Sequence, residues 1–210
     1  YTPPKKILEQ YADVLVNFAL GGGKGIKKGE VALVRASESS KPLYAEILKT
    51  IWKAGGHTIS RYSPDNEKWF KFDREFYNLA SKEQIKFFPK KLMRGQIDEI
   101  DHSLSIISTT DPKSLQGVDP KKIMEVGKAW KPAWNWLDKK ENKGKFTWTL
   151  GLYATRQMAS EAGLSLKEYW NEIIKACYLD KQNPIAEWKK IYKKIEQYRR
   201  KLNALKIQKV

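Results

Sequence analysis

The sequence predicts an α/β fold. Short apolar, β-branched segments alternate with longer stretches of helical periodicity, and serine, asparagine, proline and glycine mark the junctions between them. Hydrophobic residues make up 41% of the 210 and aromatics 12%, too rich for a disordered chain. At this length a fold buries roughly 70% of its extended surface, so a sizeable core is available. The longest apolar runs are four residues, such as Val31 to Val34, against the roughly 20 needed to cross a bilayer.

Taken in order, Lys5 to Leu20 is predicted as an amphipathic helix, with Ile7, Leu8, Tyr11, Val14, Leu15 and Phe18 on one stripe. Gly21 to Gly25 then reads as a C-cap and turn. It follows a helix and precedes a strand, the reverse of the order a phosphate loop needs, and no Ser or Thr follows its Gly-Lys pair. Strands are predicted at Val31 to Ala36, Thr58 to Tyr62, Leu104 to Thr109 and Phe146 to Leu152. Between the first two, Ser39 or Ser40 with Pro42 opens a helix that Gly55-Gly56 ends, making a βαβ unit. Ser81 with Gln84 and Ser165 with Glu168 are capping boxes, and Asp119-Pro120 and Asn183-Pro184 place proline at a first helical position.

This alternation favours a parallel sheet covered on both faces, hence a Rossmann-like three-layer domain with an open, mostly parallel sheet of about four strands. Residues 1–183 are assigned to that domain. A last helix, about Pro184 to Lys206, carries Ile185, Trp188, Ile191, Ile195, Tyr198, Leu202 and Leu205 on one stripe. Half of it is expected to pack on the domain, with Ile195 in the docked part, while 184–210 leads elsewhere. The tryptophans, including Trp130, Trp134, Trp136 and Trp148, are expected to pack in the core.

Forty basic and twenty-four acidic residues give a net charge of +16, which suggests an anionic partner. From Lys181 to Val210 ten basic residues face two acidic ones, and only seven of the forty are Arg, the side chain that reads bases and phosphates bidentately. Nucleic-acid binding is therefore not the primary expectation. One cysteine, Cys177, and two histidines, His57 and His102, exclude a disulfide framework and a multi-ligand Cys/His zinc site. Asp98, Glu99, Asp101 and His102 could attract a divalent cation but are read as a solvated helix-to-strand connection; His57 is read as structural and Cys177 as core. No nucleophile–base pair is visible. A reducing, cytoplasmic setting is expected, with no secretion signal and a trimmed or processed start, since the sequence opens at Tyr1.

In open parallel sheets ligands meet the carboxyl ends of the strands. The candidate substrate-cavity or interdomain edge is therefore Arg35, Ser37, Glu38, Thr109, Thr110, Asp111, Tyr153, Thr155 and Arg156, together with Ser63-Pro64-Asp65. No catalytic set stands among them.

Several segments are similar, in order, to a known family. LEQYADVLVNFAL, GIKKGEVALVRA and KPLYAEILKTIWKAGGH resemble the first helix, strand and crossover helix of the aminopeptidase T and aminopeptidase S type of metallo-aminopeptidase. GQIDEIDHSLSIIST, DPKSLQGVDPKKI, KFTWTLGLYATRQMASEAGLSLKEYW and NPIAEWKK resemble later segments, so the likeness spans nearly the whole chain. Ala154 and the Gly21 to Gly25 turn depart from the family pattern. The resemblance implies an N-terminal α/β domain that walls a peptide-substrate cavity. A separate C-terminal domain would carry two divalent metal ions of zinc or cobalt type, and the full-length protein would be a homodimer away from membranes. No catalytic or metal-ligating residue of that family is placed on this chain, which is expected to be inactive alone. The rival readings are a stand-alone basic module for an anionic partner or nucleic acid, and a small-molecule α/β enzyme working from the strand-end loops.

Overall fold

The computed structural model describes residues 1–67 and 69–205. Four parallel strands, β1 (Val31–Ser37), β2 (His57–Ser63), β3 (His102–Ile107) and β4 (Thr147–Leu152), form one sheet in the order β2-β1-β3-β4. Helices α1 (Lys5–Val14) and α2 (Lys41–Lys53) lie on one face. Between β2 and β3 run α3 (Phe72–Leu79), α4 (Lys82–Ile85) and α5 (Lys90–Glu99), and α6 (Pro120–Asn142) leads from β3 to β4. The chain closes with α7 (Arg156–Glu161), α8 (Leu166–Ala176) and α9 (Pro184–Ala204). This is the α/β architecture expected, with every strand parallel.

Side-chain alternation divides the sheet between two layers. Ala32, Val34, Ala36, Leu104 and Ile106 point to the first face and pack with Leu8, Tyr11 and Leu15 of the N-terminal helix, Leu43, Ile47 and Ile51 of α2, and Trp170 and Ile173 of α8. Leu33 points to the other, with Ile100, Phe146 and Leu137 of α6. Met93 and Ile97 of α5 join Ala133, Trp130 and Trp136 of α6 in a second layer outside it. Both serine-led capping boxes form, and the Asp119 and Asn183 side chains accept backbone N–H groups at the starts of α6 and α9.

The first helix does not run uniformly to Leu20. After Val14 it widens into a π turn, Leu15–Ala19, because the Val16 carbonyl accepts the Ile26 N–H at 3.0 Å instead of closing a regular α turn. The glycine turn is required there. Gly25 has φ 76°, and a Cβ on it would sit 2.5 Å from the Asn17 carbonyl oxygen.

Four side chains correct the sequence expectations. Trp148 is 54% exposed: β4 is an edge strand, and the indole lies along an open pocket that it shares with Trp134, Leu137 and Glu141 of α6, where Trp134 is exposed likewise. The fully buried indole is Trp170. His102 is not part of a solvated connection: it is 4% exposed, with ring nitrogens 2.8 Å from Glu30 and 2.8 Å from the Thr147 hydroxyl. Ile195 is exposed, since α9 leaves the domain after Trp188 and Tyr192 have packed on Phe18. Lys206 lies outside the described residues. Cys177 is half-buried against the first core layer, where burial pushes its thiol pKa up. His57 opens β2 and is exposed.

Candidate functional site

α2 leaves β1 toward one face of the sheet, whereas α6, which follows β3, packs on the opposite face. Adjacent strands whose following helices diverge leave a crevice at their carboxyl ends. It is present here, about 580 Å³ in volume, floored by the ends of β1, β2 and β3 and walled by the start of α3.

Hydroxyls and carboxylates line it. The Ser37 and Ser108 side-chain oxygens are 2.6 Å apart, and the Ser39 hydroxyl donates to the Ser108 carbonyl at 3.3 Å. Asp65 accepts the Ser39 N–H at 2.9 Å, which fixes the loop after β2 against the turn after β1. Asp111 is held by Lys71 at 2.6 Å and by the Lys113 N–H at 3.1 Å. The Lys71 hydrogen bond keeps the Asp111 carboxyl below its ordinary pKa, so it is a carboxylate at neutral pH. Asn66 accepts the Phe72 N–H and Arg74 donates to the Ser114 and Lys113 carbonyls, which tie α3 to the crevice wall.

The structure brings Ser37, Thr109, Thr110 and Asp111 together on this wall. Thr155 stands behind them: its hydroxyl donates to the Thr109 carbonyl and accepts the Met158 N–H, linking the β3 end to the first turn of α7. Glu38 sits on the neighbouring turn, its carbonyl 3.4 Å from the Tyr62 hydroxyl. Tyr153 is elsewhere, in the first core layer edge-on to Trp170, and Arg156 is exposed at the start of α7. Arg35 faces the α6 side of the sheet and donates to Ser103 at 3.0 Å; burial and then the nearby charge of Arg61 pull its pKa below the ordinary value. Sequence reasoning missed Asn66, Phe72, Asp73, Ser108 and Ser114. Ser108 could have been found as the residue just past the β3 run, but nothing local announces that α3 folds back over the strand ends.

Chemically, the crevice offers acceptors and small hydroxyls. Among the described residues it holds neither a histidine nor a cysteine, and none of its hydroxyls has an imidazole within reach. No group of three or more His, Cys, Asp or Glu side chains is placed to hold a metal ion anywhere among the described residues.

Fold and crevice define an open-sheet α/β domain with a polar, hydroxyl- and carboxylate-lined cleft at its switch point. The chain belongs to the thermophilic metalloprotease (M29) family, whose model matches residues 4–210. It is similar to aminopeptidase AmpS of Bacillus subtilis, 25% identical over 86% of this chain and 44% of that protein. It is also similar to aminopeptidase PepS of Streptococcus thermophilus, 24% identical over 95% of this chain and 48% of that one. Wild-type AmpT from Thermus thermophilus shares the fold with a TM-score of 0.68 at 21% identity, covering 88% of this chain and 45% of that one. The chain thus spans about half the length of the relatives it matches. The family name implies a divalent metal, and the described residues provide no ligand set that fits one.

Proposed function

We propose that these residues are the non-catalytic N-terminal domain of a metal-dependent aminopeptidase that removes N-terminal residues from peptides. The observation that carries this reading is a pairing: the family match runs from residue 4 to 210, yet the chain covers less than half of each relative and its described residues assemble no metal ligands. Two divalent ions of zinc or cobalt type would belong to the other half. When bound they would polarise the scissile carbonyl and activate water.

This chain's own residues would form one wall of the substrate cavity. The Ser37, Ser108 and Thr109 to Asp111 edge is polar enough to hydrogen-bond a peptide backbone and is held rigid by the Asp65 and Thr155 bonds behind it. Helix α9 would connect the halves, and the parent protein would work as a cytoplasmic homodimer. Among the described residues no helix is long and apolar enough to cross a membrane.

Sequencing past Val210 and expressing any extended reading frame, with and without residues 1–183, tests this. The extended protein is expected to release leucine from leucine p-nitroanilide in a metal-dependent manner, and Ser108→Tyr, which fills the crevice, is expected to raise KM for a peptide more than it changes kcat. No further coding sequence, or unchanged peptide kinetics in Ser108→Tyr, would count against the assignment. The basic-module reading is separated by salt titration: a steep fall in affinity for a DNA or RNA oligonucleotide with salt is expected only if several phosphates are neutralised.

A further inference from the structure

Strand β2 is an open edge. The His57 N–H donates to the Glu30 carbonyl at 2.8 Å, so His57, Ile59, Arg61 and Ser63 turn their backbone groups toward β1. By alternation Thr58, Ser60 and Tyr62 turn theirs outward, and among the described residues nothing pairs with them. Natural edges are commonly blocked by lysine, proline, a bulge or a covering loop. This one carries no lysine or proline in its seven residues, and its β1 register is unbroken from His57 to Ser63. The opposite edge is treated differently: there the Tyr11 hydroxyl accepts the Leu152 N–H at 2.8 Å.

Beside the outward backbone, on the α2 face, lies a groove of about 460 Å³ lined by Tyr44, Leu48, Trp52 and Tyr62. Trp52 is 56% exposed, and its ring nitrogen donates to Thr58 at 3.1 Å, which props the indole along the strand. Tyr44 and Tyr62 pack with ring centroids 5.3 Å apart. Lys41 and Lys49 stand on the groove wall, Lys49 ion-paired with Glu46 at 2.8 Å. The site thus combines unsatisfied strand hydrogen bonds, an apolar slot at side-chain distance and the positive charge of Lys41 at its rim.

We propose that the β2 edge binds an extended, acidic peptide as a fifth strand, with one apolar side chain in the Tyr44–Leu48–Trp52–Tyr62 groove and a carboxylate near Lys41. Backbone pairing supplies affinity in such strand addition and the pocket supplies selectivity. Charge chooses the occupant. A second copy of this chain would bring the same lysines to the same edge on a protein of net charge +16, whereas an acidic segment is complementary. The crevice at the carboxyl edge is a separate place, and this inference does not depend on the aminopeptidase reading.

The test uses the 210-residue chain and a fluorescein-labelled octapeptide of alternating valine and threonine flanked by glutamates, followed by anisotropy. Saturable binding is expected. It should weaken about tenfold or more when alternate backbone nitrogens of the peptide are methylated on the face that would pair, and similarly when the flanking glutamates become lysines. Trp52→Ala should weaken the glutamate-flanked peptide, and Ser60→Pro, tolerable on an edge strand, should abolish its binding. If Ser60→Pro fails to fold, the methylated peptide carries the test on the unaltered protein. No saturable binding of the parent peptide, or equal binding of the methylated one, overturns the proposal. So does concentration-dependent dimerisation, detected by sedimentation and lost in Trp52→Ala, since a second copy would then be the occupant.

Discussion

His102 and Glu30 are joined by a 2.8 Å contact between Nε2 and Oε2 at the amino end of the sheet, where β1 begins. Thr147 completes the set: its hydroxyl accepts the Gly21 N–H at 3.0 Å and can donate a hydrogen bond to His102 Nδ1, which leaves the ring proton on Nε2, facing the carboxylate. Three separate segments are locked by one buried ring. His102→Leu is expected to cost about 1 to 3 kcal/mol, the penalty for stranding buried partners, read from the urea midpoint. An unchanged midpoint would remove this network from the account.

Burial alone would raise the Glu30 carboxyl pKa, but hydrogen bonds from His102 and the Lys27 N–H outweigh it and bring the pKa below the ordinary 4.5. A depressed folded-state pKa stabilises the protein above the unfolded value, and that contribution is lost as pH falls through the folded one. The stability gap between the native protein and Glu30→Gln should therefore be constant above about pH 5 and shrink in more acid solution. A gap that widens on acidification has the wrong sign.

Trp148 and Trp170 make a contrasting pair. Trp170 is fully buried and edge-on to Tyr153, so Trp170→Ala should cost roughly 3 to 5 kcal/mol. Trp148 is 54% exposed and donates to Glu141 at 3.1 Å, so Trp148→Ala should cost no more than about 1 kcal/mol. Denaturant titration of the two variants ranks them, and the reverse ranking would mean the β4 face is covered.

The strands and caps were legible because their signals are local: β-branched runs, capping boxes and proline at a first helical turn lie within four residues of what they determine. The polar lining of the crevice was legible in part, since Ser37 and Thr109 to Asp111 follow from strand ends alone. Burial of particular side chains was not. Trp148 alternates correctly along β4, but how far its face is covered depends on where the long helix α6 lands on the sheet, which no local signal around Trp148 specifies. His102 was misread for the same reason: both of its partners come from other strands' flanks, Glu30 before β1 and Thr147 at the start of β4. The π turn depends on Ile26, which lies beyond the glycine run.

Gly25→Ala should be among the most damaging single-methyl changes. Its φ of 76° disfavours any L side chain, and the new Cβ would press on the Asn17 backbone rather than on a movable side chain. A loss of about 2 kcal/mol or more in thermal or urea unfolding is expected. Gly22→Ala, at a similar φ with open space around it, should lose only about 1 kcal/mol.

Helix α9 should divide at about Tyr192. Before it, Trp188 packs on Phe18 and Tyr178, whereas Ile195, Tyr198, Leu202 and Leu205 are exposed. Amide exchange is expected to be slow from Ile185 to Ile191 and fast from Ile195 onward, with early tryptic cleavage after Arg199 and Arg200. Uniform protection along the helix in a monomer would show that its distal half needs no neighbour.

In the function proposed, the chemistry resides outside this chain. The most direct measurement is elemental analysis of the purified 210-residue protein after mild chelation and reloading with zinc or cobalt, run beside an assay of leucine p-nitroanilide hydrolysis. Substoichiometric, readily removed metal and no metal-dependent hydrolysis are expected. One tightly held ion or more per chain, together with hydrolysis that follows metal content, would contradict it.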